Sequence, residues 1–246
     1  MTSPRTLSWW PDALAAGALV WLTAALATGL LLDLDVAVAD WVFAHQPPVV
    51  YWTARTFNYL GQGLTVVTPI AAILTFFLVR RTRSVRAMLP LIVTFVLTYV
   101  TIGPIKLVFD RAAPRFTGPD RAELFNPAAI GDLGMSYPSG HMGNVMTWYA
   151  IIALLTAALL GRRLHPWEWV TIRVAPVVIV FWTTVYLGFH WVTDSVAGLL
   201  LGLVLARVLQ RIPWERLPLP AFLHRWDRPA GLNADRPGHE SAEPVV

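Results

Sequence analysis

The sequence predicts an all-α fold, a six-transmembrane-helix bundle with an extracytoplasmic interfacial helical segment, and three observations predict it. Hydrophobic residues make up 56% of the 246 residues and charged residues only 14%. With a mean hydropathy of +0.55, the chain carries more apolar surface than one water-soluble core of this length buries. Its Leu, Val and Ala fall into blocks separated by short charged strings, and about 20 residues at roughly 1.5 Å each cross a hydrocarbon core of about 30 Å.

Taken in order, the spans fall near residues 13–32, 63–79, 87–108, 140–161, 170–188 and 192–210. The first block, Leu14 to Leu32, contains Ala25-Leu26-Ala27, which loosely resembles a signal cleavage site. The block is longer than a signal core of about 7–15 residues and the small residues lie inside it, so it reads as a retained span. Residues 33–62 open with Asp33-Leu34-Asp35, run through a short apolar-polar pattern to Phe43, break at Pro47-Pro48 and are then rich in Trp and Tyr. This pattern predicts an interfacial helix and a second helix leading back to the membrane.

Positive charge gathers in the loop Arg80-Arg81-Thr82-Arg83-Ser84-Val85-Arg86, in Arg162-Arg163-Leu164-His165 and after Arg207. The positive-inside rule places these in the cytoplasm, and an even number of spans puts both termini there. Residues 1–12 are then a cytoplasmic N-terminus, 13–212 the membrane domain, and 213–246 a cytoplasmic tail whose Pro, Arg and Glu lack periodicity and predict partial disorder. Residues 33–62, the segment 109–139 and the turn from Gly188 to Trp191 lie outside, in a multi-pass protein of the plasma membrane.

The net charge of +4 does not point to nucleic acid, because its Arg residues sit where phospholipid headgroups would meet them. With no cysteine, disulfides, thiolate metal sites and thiol nucleophiles are excluded. His45, His165, His224 and His239 have no placed carboxylate and read as surface histidines, and Trp9, Trp10, Trp167 and Trp169 as interface anchors. Asp110 and Asp120 shape the outer loop.

Segment 109–139 ends in Tyr137-Pro138-Ser139-Gly140-His141, where the fourth span starts. Helix capping alone explains the Pro and Ser, but a Ser-Gly-His run at a helix start also offers a hydroxyl, open N–H groups and a positive dipole end to an anion such as phosphate. The sixth span opens with His190-Trp191-Val192-Thr193-Asp194. On a helix Asp194 shares a face with His190, so it can hold one imidazole N–H and leave the other nitrogen nucleophilic. An ordinary interface histidine is the bland alternative, weakened because an Asp one turn into a span is expensive without a role. The fourth and sixth spans run in the same direction, so both sites start at one membrane face. The third span ends there in Lys106, which alone is a snorkelling lysine and with the others completes a phosphoryl-transfer site.

These residues resemble the type 2 phosphatidic acid phosphatase superfamily, whose pattern is Lys-x6-Arg-Pro, Pro-Ser-Gly-His and Ser-Arg-x5-His-x3-Asp. The middle element is complete at 138–141, the last keeps His190 and Asp194, and Lys106 and Pro114 keep the ends of the first. The resemblance covers about residues 60–210. It implies a hydrolase of lipid metabolism in the cell envelope in which His190 attacks phosphorus, Asp194 orients it, and His141 protonates the leaving oxygen. Lys106, Ser139 and the Gly140 N–H would hold phosphate oxygens, with no metal or other cofactor, on a polyprenyl or glycerolipid phosphate or diphosphate.

Two positions depart from the pattern. Ala113 replaces the Arg of the first element, and Thr183 and Thr184 replace the Ser-Arg of the third. Arg111 or Arg115 can substitute for one guanidinium, and Thr184 can offer a hydrogen bond. Thr at that place resembles the inositol-phosphoceramide-synthase-like branch, so a phosphotransferase acting on a lipid alcohol is the second reading. A lipid-phosphate binder without catalysis is the third, and the intact His141, His190 and Asp194 argue against it.

Overall fold

Inside a bilayer no water pairs with a backbone N–H or C=O, so an apolar block closes its own hydrogen bonds as a helix. The computed structural model describes residues 8–232, and each predicted span is helical in it. In chain order the helices are α1 (Trp10–Ala27), α2 (Leu32–Ala44), α3 (Pro48–Asn58), α4 (Thr68–Thr82), α5 (Leu89–Phe109), α6 (Gly140–Leu160), α7 (Pro166–Arg173), α8 (Ala175–Tyr186) and α9 (Val192–Arg211). A π turn, Gly63–Val67, extends α4 and a 3-10 turn, Val85–Met88, extends α5 to membrane length. The fifth span is α7 and α8 together, broken where Pro176 lacks an N–H and crowds the preceding turn. The two expected interfacial helices are α2 and α3. The protein is an integral membrane, six-span helical bundle, and no strand occurs among the described residues.

The core is the pair α6 and α9. Their spans are 67% and 56% buried, against 22–28% for the other four, whose remaining surface is left to lipid. Small residues bring the two backbones together, as between helices in lipid. A Cβ at Gly202 would lie 2.6 Å from Met146 Cβ and 2.8 Å from the Gly143 carbonyl, and one at Gly198 would run into the Ser139 carbonyl. The starts of α6 and α9 are also joined directly, the Ser139 N–H donating to the Asp194 carbonyl at 2.9 Å. The two helix starts therefore share one end of the bundle, with the C-terminal end of α5 beside them.

At the opposite end lie the Arg-rich loops and the stretch 213–232. Within the tail, this stretch is docked, because buried side chains and paired polar groups supply what its sequence pattern lacks. Trp214 and Leu232 are buried. Arg86 binds Asp227 through Nε at 2.5 Å and Nη2 at 2.9 Å and donates from Nη1 to the Trp214 and Leu217 carbonyls. Glu215 accepts from the Ala230 and Leu232 N–H groups. Asp12 of α1 pairs with Arg207 and Arg211 of α9 at this same end, and Trp9, Trp10, Trp167 and Trp169 are exposed there. Residues 1–7 and 233–246, His239 among them, lie outside the described residues.

Gly202→Ala should lower the unfolding transition of the detergent-solubilised protein, by about 1–3 kcal/mol of overpacking. Gly17→Ala, where a Cβ meets nothing within 4 Å, should not lower it. An unchanged transition in Gly202→Ala contradicts the close packing of α6 on α9.

Candidate active site

A cavity of about 790 Å³ opens where the starts of α6 and α9 meet the end of α5, the helix α3 and the loop before α6. Lys106, Gly140, His141 and His190, four of the residues singled out by sequence, line it together. The His141 and His190 rings stand 5.6 Å apart at 67°. The Nε2 atom of His141 is buried with no hydrogen-bond partner among the described residues, and such a group normally finds one. The Lys106 ammonium donates to the Met135 carbonyl, and a Cβ at position 140 would lie 3.3 Å from Lys106 Cε, so glycine lets the lysine lie against the start of α6.

His190 sits in a five-residue reversal, Leu187 to Trp191, between α8 and α9 that turns on Gly188, at φ +65°, a conformation in which glycine carries no steric cost. A Cβ there would also meet the Phe43 ring at 2.6 Å. The Thr184 carbonyl accepts from the N–H groups of both Phe189, at 3.1 Å, and His190, at 3.4 Å. The Thr184 hydroxyl donates back to the Val180 carbonyl at 2.6 Å. Thr184 is fully buried and off the cavity wall; it shapes the turn that carries His190, because a threonine in a helix readily closes its hydroxyl on the turn before.

Asp194 holds His190 less directly than helix spacing alone indicates. Its Oδ2 is 3.8 Å from His190 Nδ1, and Ser136 closes the gap. The Ser136 hydroxyl donates to Asp194 Oδ2 at 2.5 Å and stands 3.2 Å from His190 Nδ1. A hydroxyl has one proton and two lone pairs, so with its proton on Asp194 it accepts from Nδ1–H, the tautomer that leaves Nε2 unprotonated. Burial, opposed by the bond to Asp194, holds the His190 imidazole below its ordinary pKa. Asp194 Oδ2 also accepts from the Trp191 N–H at 3.0 Å.

Arg111, expected on the phosphate, is instead fully buried and absent from the cavity wall. Its Nη1 donates to Asp194 Oδ1 at 2.7 Å and to Thr193 Oγ1 at 2.8 Å. Its Nη2 donates to Asp35 Oδ2 and to the Ala122 carbonyl, both at 2.8 Å, and its Nε to Ala122 at 3.0 Å. Thr193 ties Asp35 in again, donating from its N–H at 3.1 Å and its hydroxyl at 2.5 Å. Burial works against the Arg111 charge, but Asp194 and Asp35 outweigh it and raise its pKa. Arg111 is kept from the phosphate because all five of its guanidinium donors are used within the protein. Ser139 is likewise buried and off the wall, its Oγ capping α6 by accepting from the Met142 N–H at 3.3 Å. Its hydroxyl has the capping role that the sequence also allowed.

Arg115 does line the cavity, and so does Arg55 of α3, which sequence reasoning passed over. Ala113 and Thr184, the positions where family arginines are missing, are buried. The signal for Arg55 was present in principle: a cation on the second outer helix, amid Tyr51, Trp52 and Phe57, with no acidic neighbour within four residues. Ser136 and Asp35 carried no comparable signal, since their partners are far away in the chain.

Comparison with known proteins shows the family and the fold. Residues 87–218, more than half of the chain, match the family model described as the PAP2 superfamily. An undecaprenyl-diphosphatase of Sulfolobus acidocaldarius is 33% identical over 135 residues, which cover 54% of this chain and 57% of that protein. The match thus spans little more than half the length of that relative. Among solved structures, a transmembrane PAP2-type phosphatidylglycerolphosphate phosphatase from Bacillus subtilis superimposes with a TM-score of 0.67 at 21% identity, over 82% of this chain and 94% of that one. LpxE of Aquifex aeolicus does so with a TM-score of 0.50 at 20% identity, over 74% and 94%. Both likenesses are of fold.

Removing Arg111 leaves two buried carboxylates facing each other without a cation. Arg111→Met should cost about 3–5 kcal/mol of stability, read as a lower unfolding transition in detergent, and adding Asp35→Asn should restore part of it. A variant as stable as wild type would place Arg111 outside the buried network.

Proposed function

The chain belongs to the PAP2 superfamily, and from that premise we propose that it is a metal-independent phosphatase of lipid phosphates or diphosphates, working through a phosphohistidine on His190. The observation that carries this reading is His190 itself, with Nδ1 turned to Ser136 and Asp194 and its ring facing His141 across a cation-lined cavity. A binder needs no such oriented nucleophile.

His190 Nε2 attacks phosphorus while the bond from phosphorus to the lipid-side oxygen breaks. His141 gives that oxygen a proton, and the positive charge growing on His190 is stabilised through Ser136 by Asp194. Lys106 and the Gly140 N–H at the start of α6 take the equatorial oxygens, over which the charge is spread in the transition state. Water then attacks the phosphohistidine, giving up a proton to the now neutral His141, and inorganic phosphate leaves.

The shape of the cavity supports a lipid substrate. From Lys106 it continues between α4 and α5 past Ile102, Tyr99 and Phe95, with Leu64 on the other side. That is about 16 Å of helix at roughly 1.5 Å per residue, room for a tail to stay in hydrocarbon while its headgroup enters the polar end. The named activities of the relatives, on undecaprenyl diphosphate and on phosphatidylglycerol phosphate, make polyprenyl and glycerolipid tails the two to test. The Arg-rich loops at the opposite end support, by the positive-inside rule, a site outside the cytoplasm with both termini inside. Transfer to a lipid alcohol shares the first half of the mechanism and differs in needing an acceptor.

Purified protein in detergent with EDTA should release phosphate from lipid phosphates or diphosphates without an added acceptor, and His190→Ala should abolish the release. Release that needs an added lipid alcohol favours the transferase, and none under either condition favours the binder. Because His190 must be neutral to attack and burial lowers its pKa, the acid limb of kcat/KM should fall below about pH 6.5, the ordinary imidazole value. A limb at or above that value removes His190 as the group that titrates. Single cysteines are clean topology probes in this cysteine-free chain: an impermeant thiol reagent should label Glu123→Cys in intact cells and Arg163→Cys only after permeabilisation. The reverse pattern overturns the orientation.

A further inference from the structure

The cavity has a surplus of positive charge. Lys106, Arg55 and Arg115 line it, and no Asp or Glu does among the described residues. Lys106 and the start of α6 are the groups that hold the transferred phosphoryl group in the proposed mechanism. Arg55 and Arg115 lie apart from them on a different support, the ring of Phe189, with guanidinium carbons 5.0 and 4.8 Å from its centroid. Arg115 is anchored there by Nε on the Leu187 carbonyl at 2.8 Å and Nη2 on the Tyr51 hydroxyl at 3.1 Å. Arg55 has no hydrogen bond or ion pair among the described residues; the Phe189 face is its contact. A half-buried guanidinium with its donors unused, beside a second one held in place, is suited to a phosphate oxyanion, which it binds through paired N–H bonds.

Phe189 also says which part of a substrate this is. Its ring is stacked on His141, 6.3 Å between centroids and 25° between planes, and His141 is the group that protonates the leaving oxygen. The arginines are thus grouped around His141 on the leaving-group side. We propose that Arg55 and Arg115, seated on Phe189, form a second anion subsite that holds the phosphate a lipid diphosphate keeps when its terminal phosphoryl group passes to His190. The inference rests on the phosphatase reading and narrows it to diphosphates. The bond broken is the anhydride bond between the two phosphorus atoms; the retained phosphate leaves with the bridging oxygen and the His141 proton.

The test compares a polyprenyl diphosphate with the monophosphate of the same tail, on wild type, Arg55→Gln, Arg115→Gln and the double variant. Arg55→Gln breaks no hydrogen bond within the protein and is the primary variant. It should lower the ratio of kcat/KM for diphosphate over monophosphate about tenfold or more, the scale of one charge-assisted contact, chiefly through KM, and the double variant should lower it further. Equal losses on both substrates would assign the pair to the transferred phosphoryl group, and no loss on either would remove it from the substrate; both overturn the subsite. A wild type that hydrolyses neither lipid fails the phosphatase reading instead, and a readout without turnover then decides the subsite. In His190→Ala, inorganic pyrophosphate should raise the unfolding transition more than inorganic phosphate does, and adding Arg55→Gln should erase that preference. Equal shifts by the two anions, with Arg55 present, contradict it.

Discussion

The Arg111 guanidinium carries five N–H donors, and every one is bonded within the protein, to Asp35, Asp194, Thr193 and the Ala122 carbonyl. A cation and two carboxylates at full burial are tolerable only when all three stay together, since any one alone leaves an uncompensated charge. That constraint joins three segments distant in the chain: α2 through Asp35, the long loop through Arg111 and Ala122, and the start of α9 through Thr193 and Asp194. With Asp194 Oδ1 held by Arg111, its Oδ2 is left to Ser136 and the Trp191 N–H, and Ser136 stands against His190. The position of the imidazole follows from the burial of a charge that itself never reaches the cavity.

Packing within the membrane sets the rest. Lipid offers helices no hydrophobic reason to associate, so close contact depends on small residues, and Gly143, Gly198 and Gly202 let α6 and α9 approach until Ser139 bonds the Asp194 carbonyl. Two helix starts and two histidines thereby converge on one end, with Lys106 delivered by the neighbouring α5. The same cavity continues along the less buried helix α5, past Ile102, Tyr99 and Phe95.

Spans, interfacial helices and the histidine pair were legible in the sequence because each rests on a local signal: an apolar run, a proline break, or the i, i+4 spacing of His190 and Asp194. What was illegible is nonlocal. Arg111 looked available to phosphate since nothing nearby in sequence shows Asp35 folding over it. Thr184 looked like a ligand because sequence does not reveal that its hydroxyl closes on its own helix, while for Ser139 the sequence left capping and phosphate binding both open. The docked stretch 213–232 has no periodicity to announce it; its order comes from Arg86, Glu215 and the burial of Trp214 and Leu232, all of them tertiary. Arg55 shows the converse, a cation with an ordinary interfacial setting in sequence that the fold turns into the cavity.

The central claim is that a histidine held by Ser136 and Asp194 takes the phosphoryl group covalently, and its most direct test is to trap the adduct. Lipid substrate labelled in its terminal phosphate, mixed with the protein and quenched in alkali within the first turnover, should leave label on the chain that is alkali-stable, acid-labile and mapped to His190, with Ser136→Ala accumulating it more slowly. Rapid release of labelled phosphate with no label on the protein at any quench time, or label on a different residue, would contradict the account.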